Sequence, residues 1–130
     1  MTDDQPVGRW FIDLAWFEQQ NRSFLALAQG CLCPKCRERL EKGKGEFSAA
    51  DLLANIKDCC SQTPGFVTDR SPILESVFRL FLANGNKPLD LEKLGKHLAE
   101  RRGGDTQRTS AEILSRLLSH DQHYGLRPVP

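Results

Sequence analysis

A mostly α-helical fold is predicted by three observations. Apolar residues recur at three- and four-residue steps over 9–28, 49–60 and, most regularly, after residue 71, which is the spacing of a helix face. Helix-start signals stand ahead of these runs at Ser48, Ser71-Pro72, Asp90 and Thr109. All five cysteines fall within 31–60, which sets a small metal-binding module between two helical stretches. Hydrophobic residues make up 39% and charged residues 27%, the balance of a chain that buries a core rather than one that stays disordered.

The elements follow in order. Residues 1–8 read as a loose lead-in broken by Pro6 and Gly8. The stretch 9–28 reads as helical, with Trp10, Leu14, Phe17, Phe24 and Leu25 on the repeat. Asn21-Arg22-Ser23 divides it in two, Ser23 serves as a cap, and Gly30 is the stop. A short helix over 35–41 leaves the first cysteines, and Lys42-Gly43-Lys44-Gly45 is a charged loop. Ser48 with Asp51 resembles a capping box for a helix over 49–60, with Leu52, Leu53 and Ile56 on one face and Cys59 and Cys60 at its end. Residues 62–69 connect to the C-terminal part. There Ser71 caps a helix with Pro72 at its first position, running through Ile73, Val77, Phe78 and Phe81 to Asn84-Gly85-Asn86. Asp90 caps a second helix through Leu94 and Leu98, and Gly103-Gly104 lies in a polar turn. Thr109 and Glu112 form a capping box for a third through Ile113, Leu114, Leu117 and Leu118. The tail over 124–130 supplies one short strand. The expected organisation is a helical segment over 1–30, a four-cysteine module over 31–66 and a three-helix domain over 67–130.

The cysteines carry the clearest chemistry. Their pattern is C-x-C-P-K-C at Cys31, Cys33 and Cys36, then the pair Cys59-Cys60. Zinc binds four thiolates at about 2.3 Å in a tetrahedron, and a C-x-x-C turn presents two at that separation. Cys33-Pro34-Lys35-Cys36 is such a turn, stiffened by the proline, with Lys35 adding positive charge. The expected ligands of Zn2+ are Cys33, Cys36, Cys59 and Cys60. Cys31 is the alternative, in a set that takes Cys31, Cys33 and Cys36 with one of the pair. Adjacent side chains on a helix diverge by about 100°, so Cys59 and Cys60 meet one ion only where the helix ends. An iron–sulfur cluster is the rival occupant, since it too takes four thiolates. A redox C-x-x-C normally opens a helix after a strand, and no strand is read before Cys33.

After Ser71 the sequence SPILESVFRLFLANGNKPLDLEKLGKHL, followed by TSAEILSRLLSHD, has the plan of a helix-turn-helix. It resembles the HARE-type helix-turn-helix domains of bacterial RNA polymerase delta subunits. The likeness is carried by residues 83–89, by Leu94, and by Leu114, Leu117, Leu118 and Asp121, and it covers roughly half of the chain. The resemblance implies a winged-helix-like unit and a role in transcription. The fold class is then mostly α, a four-cysteine zinc-binding module plus a three-helix winged-helix-like unit. On that plan the third helix enters the major groove. Arg108, Thr109, Ser110 and Arg116 are the candidates for nucleic acid, and Arg101 and Arg102 the candidates for phosphates. The same helices serve equally as a docking surface for RNA polymerase or another protein, a use that the net charge of +1 favours.

Other classes are less well supplied. No apolar run approaches the roughly 20 residues of a bilayer span, so no membrane partner is expected. The first residues lack the basic-then-apolar order of a secretory signal, and clustered thiols suit a reducing compartment, so the expected location is cytoplasmic. His97, His120 and His123 have no nucleophile or carboxylate at a telling spacing, and neither an enzymatic activity nor a small-molecule substrate is expected.

Overall fold

A computed structural model describes residues 8–42, 48–63, 65–68, 70–102 and 109–129. The lead-in before Gly8, the loop residues 43–45 and Gly103-Gly104 lie outside the described residues, as do parts of the 62–69 connector.

The first element is strand β1, Arg9–Ile12, where the apolar repeat predicts helix. Trp10 and Ile12 are buried while Arg9 and Phe11 are more exposed, the two-residue alternation of a strand. The side chains of Trp10, Phe11 and Ile12 suit a strand as well as a helix face. The outcome is decided by pairing partners distant in sequence, which local periodicity does not register. Asp13 then caps α1, Leu14–Gln19, and Ser23 caps α2, Phe24–Gln29. Between them Asn21 takes a left-handed backbone (φ 56°), which its short polar side chain tolerates. Gly30 closes α2 as expected.

Helix α3 spans Pro34–Lys42 and α4 spans Ala49–Asp58. The Ser48–Asp51 capping box at the start of α4 is formed in both directions. A 3-10 turn, Cys60–Gln62, follows at once. Helix α5 is Ile73–Ala83, strand β2 Leu89–Asp90, helix α6 Leu91–Arg101, helix α7 Ala111–Ser119 and strand β3 Leu126–Pro128. Two starts differ by one residue from the sequence reading. Pro72 occupies the cap position of α5 in an extended conformation, and the Ser71 hydroxyl lies 3.3 Å from that of Thr68 instead of capping. Ser110, not Thr109, caps α7, its hydroxyl accepting from the Ile113 amide at 3.3 Å. Thr109 is buried against α6, so the box with Glu112 is not formed.

The three strands form an antiparallel sheet in the order β2-β1-β3. Trp10 faces Leu89 on one side and Pro128 on the other, and Ile12 faces Leu126. Beyond the end of β2, the Asn86 side chain continues the pairing. Its Oδ1 accepts from the Ile12 amide and its Nδ2 donates to the Ile12 carbonyl, both at 2.9 Å. A single hydrophobic cluster runs from Trp10 to Leu126. Val77, Phe78, Phe81 and Leu82 of α5 meet Leu52 and Ile56 of α4, Leu94 and Leu98 of α6, and Leu114 and Leu118 of α7 within it. An aromatic series links Trp16, Phe17, Phe24, Phe78 and Tyr124 at centroid distances between 5.0 and 6.2 Å. The molecule is mostly helical, and none of its described helices is long and apolar enough to cross a membrane.

Helices α6 and α7 meet where Gly95 lies beneath the backbone entering α7. A Cβ at Gly95 would collide with the Thr109 carbonyl oxygen. Gly95→Ala is therefore expected to destabilise the fold by about 1–2 kcal/mol net, because the overpacking exceeds the gain in helix propensity. Urea denaturation measures this, and an unchanged or raised midpoint would contradict the close approach.

Candidate metal centre

The cysteines are brought together by three element ends. Cys33 directly precedes α3, and its carbonyl accepts from the Arg37 amide at 2.9 Å. Cys36 lies in the first turn of α3 and is buried. Cys59 is the C-cap of α4, with φ −125° and ψ −64°, and Cys60 opens the 3-10 turn. The helix thus ends at the pair, which frees the two neighbouring side chains from the divergence that a continuous helix imposes.

The sulfurs of Cys33, Cys36 and Cys59 all lie within 4.8 Å of one another, and Cys36 Sγ is 3.2 Å from Cys59 Sγ. The edge of a zinc–thiolate tetrahedron with 2.3 Å bonds is about 3.8 Å, so the triad has the scale of a metal site. Cys60 adjoins it. Its sulfur is fully buried and accepts from the Cys33 amide at 3.3 Å and from Asn55 Nδ2 at 3.8 Å. Cys31 faces elsewhere: its thiol donates to the Leu27 carbonyl at 3.9 Å, and its charged neighbours are Arg79, Glu75 and Arg37. All five cysteines are free thiols.

The thiols do not titrate alike. Cys33 is pulled down to about 6, first by the Cys36 amide beside its sulfur and then by hydrogen bonds from the Cys36, Cys60 and Cys59 thiols, while burial opposes this. Cys60 is pushed up to about 12, chiefly by burial, against the Cys33 amide. Cys59 is raised first by its hydrogen bond with Cys36, and Cys31 first by burial. Helix ends act in the same sense. The start of α3 favours negative charge at Cys33, whereas the end of α4 disfavours it at Cys59. Thiols this close compete for the same hydrogen bonds, and a divalent cation bound there displaces thiol protons. The close cysteines can hold a metal ion. Sequence reasoning missed Asn55 as a partner of Cys60; its place one helical turn before the pair was the available signal.

The nucleic-acid candidates are not gathered into one surface. Arg102 is 3% exposed, and its Nη1 donates to the Thr68 carbonyl at 2.9 Å, the Ser71 carbonyl at 2.6 Å and the Ser76 hydroxyl at 3.0 Å. That corrects its assignment to phosphates: burial removes the guanidinium from any external anion. Thr109 is likewise buried, out of reach of a base edge. Ser110 is occupied as the cap of α7, and Arg101 Nη1 donates to the Ser61 carbonyl at 3.2 Å. Arg116 pairs with Glu112 at 3.6 Å on the exposed face of α7. Arg108 lies outside the described residues.

Comparisons with protein-family models, with curated proteins and with solved structures find no match for this chain. Cys36→Ser and Cys59→Ser are expected to lose bound metal while Cys31→Ser retains it. Elemental analysis of the purified variants measures this, and loss from Cys31→Ser would move the ligand set onto Cys31.

Proposed function

We propose that this chain is a non-enzymatic, zinc-stapled interaction protein serving transcription, in which Cys33, Cys36, Cys59 and Cys60 hold one Zn2+ and the helical unit after Ser71 docks another protein. The observation that carries the reading is the setting of α3. Cys36 is the one buried residue among the described side chains of this helix, and it meets Cys59 at the end of α4 through sulfur. Zinc closed by four protein ligands is structural, because no position is left for water or substrate. Among the described residues, the hydrogen bonds of these four thiols run to one another, to the Cys33 amide and to Asn55.

The winged-helix reading is supported by connectivity. The order α5-β2-α6-α7-β3 is the helix–strand–helix–helix–strand order of that plan, with β1 standing where the second strand of the wing would return. A protein partner, with RNA polymerase the class that the resemblance implies, is favoured over DNA by the internal use of Arg102 and Thr109 and by the pairing of Arg116. Direct nucleic-acid binding is the second reading, carried by the same connectivity, with Arg101, Ser110 and Arg116 as its exposed residues.

Purification without chelators is expected to give a colourless protein with about one zinc per chain. Visible absorbance would assign an iron–sulfur cluster instead, and absence of metal would remove the staple. Chelation is expected to abolish hydrogen-exchange protection over 34–42 while α5, α6 and α7 keep theirs; unchanged protection of α3 would refute the structural role. Salt-sensitive retention of a DNA duplex at low salt would establish the second reading over the first.

A further inference from the structure

A cavity of about 330 Å³ is lined by Phe17, Arg22, Ser23, Ala26, Leu27 and His123. It shares no residue with the metal centre. Its apolar wall is Phe17, Ala26 and Leu27, and its remaining wall is cationic or polar. Arg22 Nη1 donates to the Gln122 carbonyl at 3.0 Å and lies 3.4 Å from His123 Nδ1. The His123 ring is held edge-on to Tyr124 at 4.7 Å. Arg22 also lies over the Trp16 ring at 5.7 Å, and Arg127 lies over the same ring at 5.2 Å. Arg127 Nη1 is fixed by the Asp121 and Leu126 carbonyls at 3.0 and 2.8 Å.

Two guanidiniums thus lie against one indole. Among the described residues, ion pairs join Lys42 to Glu38, Arg79 to Glu75 and Arg116 to Glu112, and none includes Arg22 or Arg127. The nearby Asp121 carboxylate is buried and turned to the amides of His123, Tyr124 and Leu126, and among the described residues it forms no ion pair with either guanidinium. Positive charge held in place beside an apolar recess is complementary to a carboxylate next to an aliphatic side chain.

We propose that this cavity docks a short acidic–apolar segment of a partner protein. One aliphatic side chain enters between Phe17, Ala26 and Leu27, and flanking carboxylates engage Arg22 and Arg127. Single-stranded nucleic acid is disfavoured because it needs an open aromatic face, and Trp16 is only 7% exposed. The proposal rests on the reading of the chain as an interaction protein, and it names the chemistry of that partner.

The test is a titration of the full, isotope-labelled chain, followed by amide chemical shifts, with acetyl-Glu-Leu-Asp-Leu-Glu-amide as the probe. Shifts are expected over 22–27 and 122–124. The double variant Arg22→Gln, Arg127→Gln is expected to bind about tenfold more weakly, the loss of charge-assisted contacts. Ala26→Leu, at an exposed helix position, fills the recess without changing charge and is expected to block binding as well. An equal response to acetyl-Lys-Leu-Lys-Leu-Lys-amide, unchanged binding by both variants, or tighter binding of an oligothymidylate at the same residues would each overturn the proposal. Zinc content is measured on the same samples. Zinc retained without peptide binding overturns the docking site alone, whereas peptide binding by a metal-free chain supports the docking site and removes the staple.

Discussion

The attachment of α3 to the end of α4 through sulfur is the constraint on which the N-terminal half depends. An ordinary surface helix buries an apolar stripe against its neighbours. Helix α3, with sequence PKCRERLEK, is dominated by charge. Among its described side chains the buried one is Cys36, in contact with Cys59, while Cys33 at its start meets Cys60 through the backbone. The same contact fixes where α4 must stop, since Cys59 and Cys60 reach their partners only if the helix gives way to the 3-10 turn. One cluster of polarizable side chains therefore sets the position of α3, the length of α4 and the path of the chain beyond Gln62.

The connection from that cluster to the helical unit is made by arginine. At the end of α6, Arg101 reaches the Ser61 carbonyl in the 3-10 turn, and Arg102 binds two carbonyls of the 68–71 connector and the Ser76 hydroxyl in α5. A connector rich in bends leaves carbonyls without secondary-structure partners, and a guanidinium with donors in a planar fork satisfies several at once. Neighbouring residues of the same type thus differ in exposure for a stated reason. Residue type alone marked both as surface cations, but the geometry of the connector made Arg102 an interior one.

Most of the helical architecture is legible in the sequence because its signals are local. Ser23, Ser48 and Asp90 each cap the helix that follows, since the preference is built from one side chain and the amides two or three residues on. The cysteine arrangement is legible for the same reason, as the C-x-x-C turn and the end of a helix are short-range features. What the sequence did not disclose is relational. Strand β1 has no local strand signal strong enough to outweigh its helical spacing; its state is determined by Leu89 and Leu126. The one-residue shift at Ser110 follows from Thr109 packing against Gly95, and the burial of Arg102 follows from where the connector runs. The recess beside α2 brings Arg22 to His123 across most of the chain, and Arg127 comes to the same Trp16 ring as Arg22; no spacing rule relates them.

The central place of β1 bears on how the molecule is made. Its partners β2 and β3 are synthesised long after it, β3 last of all. As the chain leaves the ribosome, Trp10, Phe11 and Ile12 must wait unpaired while α4, α5 and α6, whose contacts are nearer in sequence, come together. Closing the sheet is then a long-range step that waits on β3, the kind of step that is slow and leaves an apolar edge exposed in the interval. Of the three strands, the first to emerge waits longest for its place, and its safe passage until then is a demand on the cell rather than on the fold.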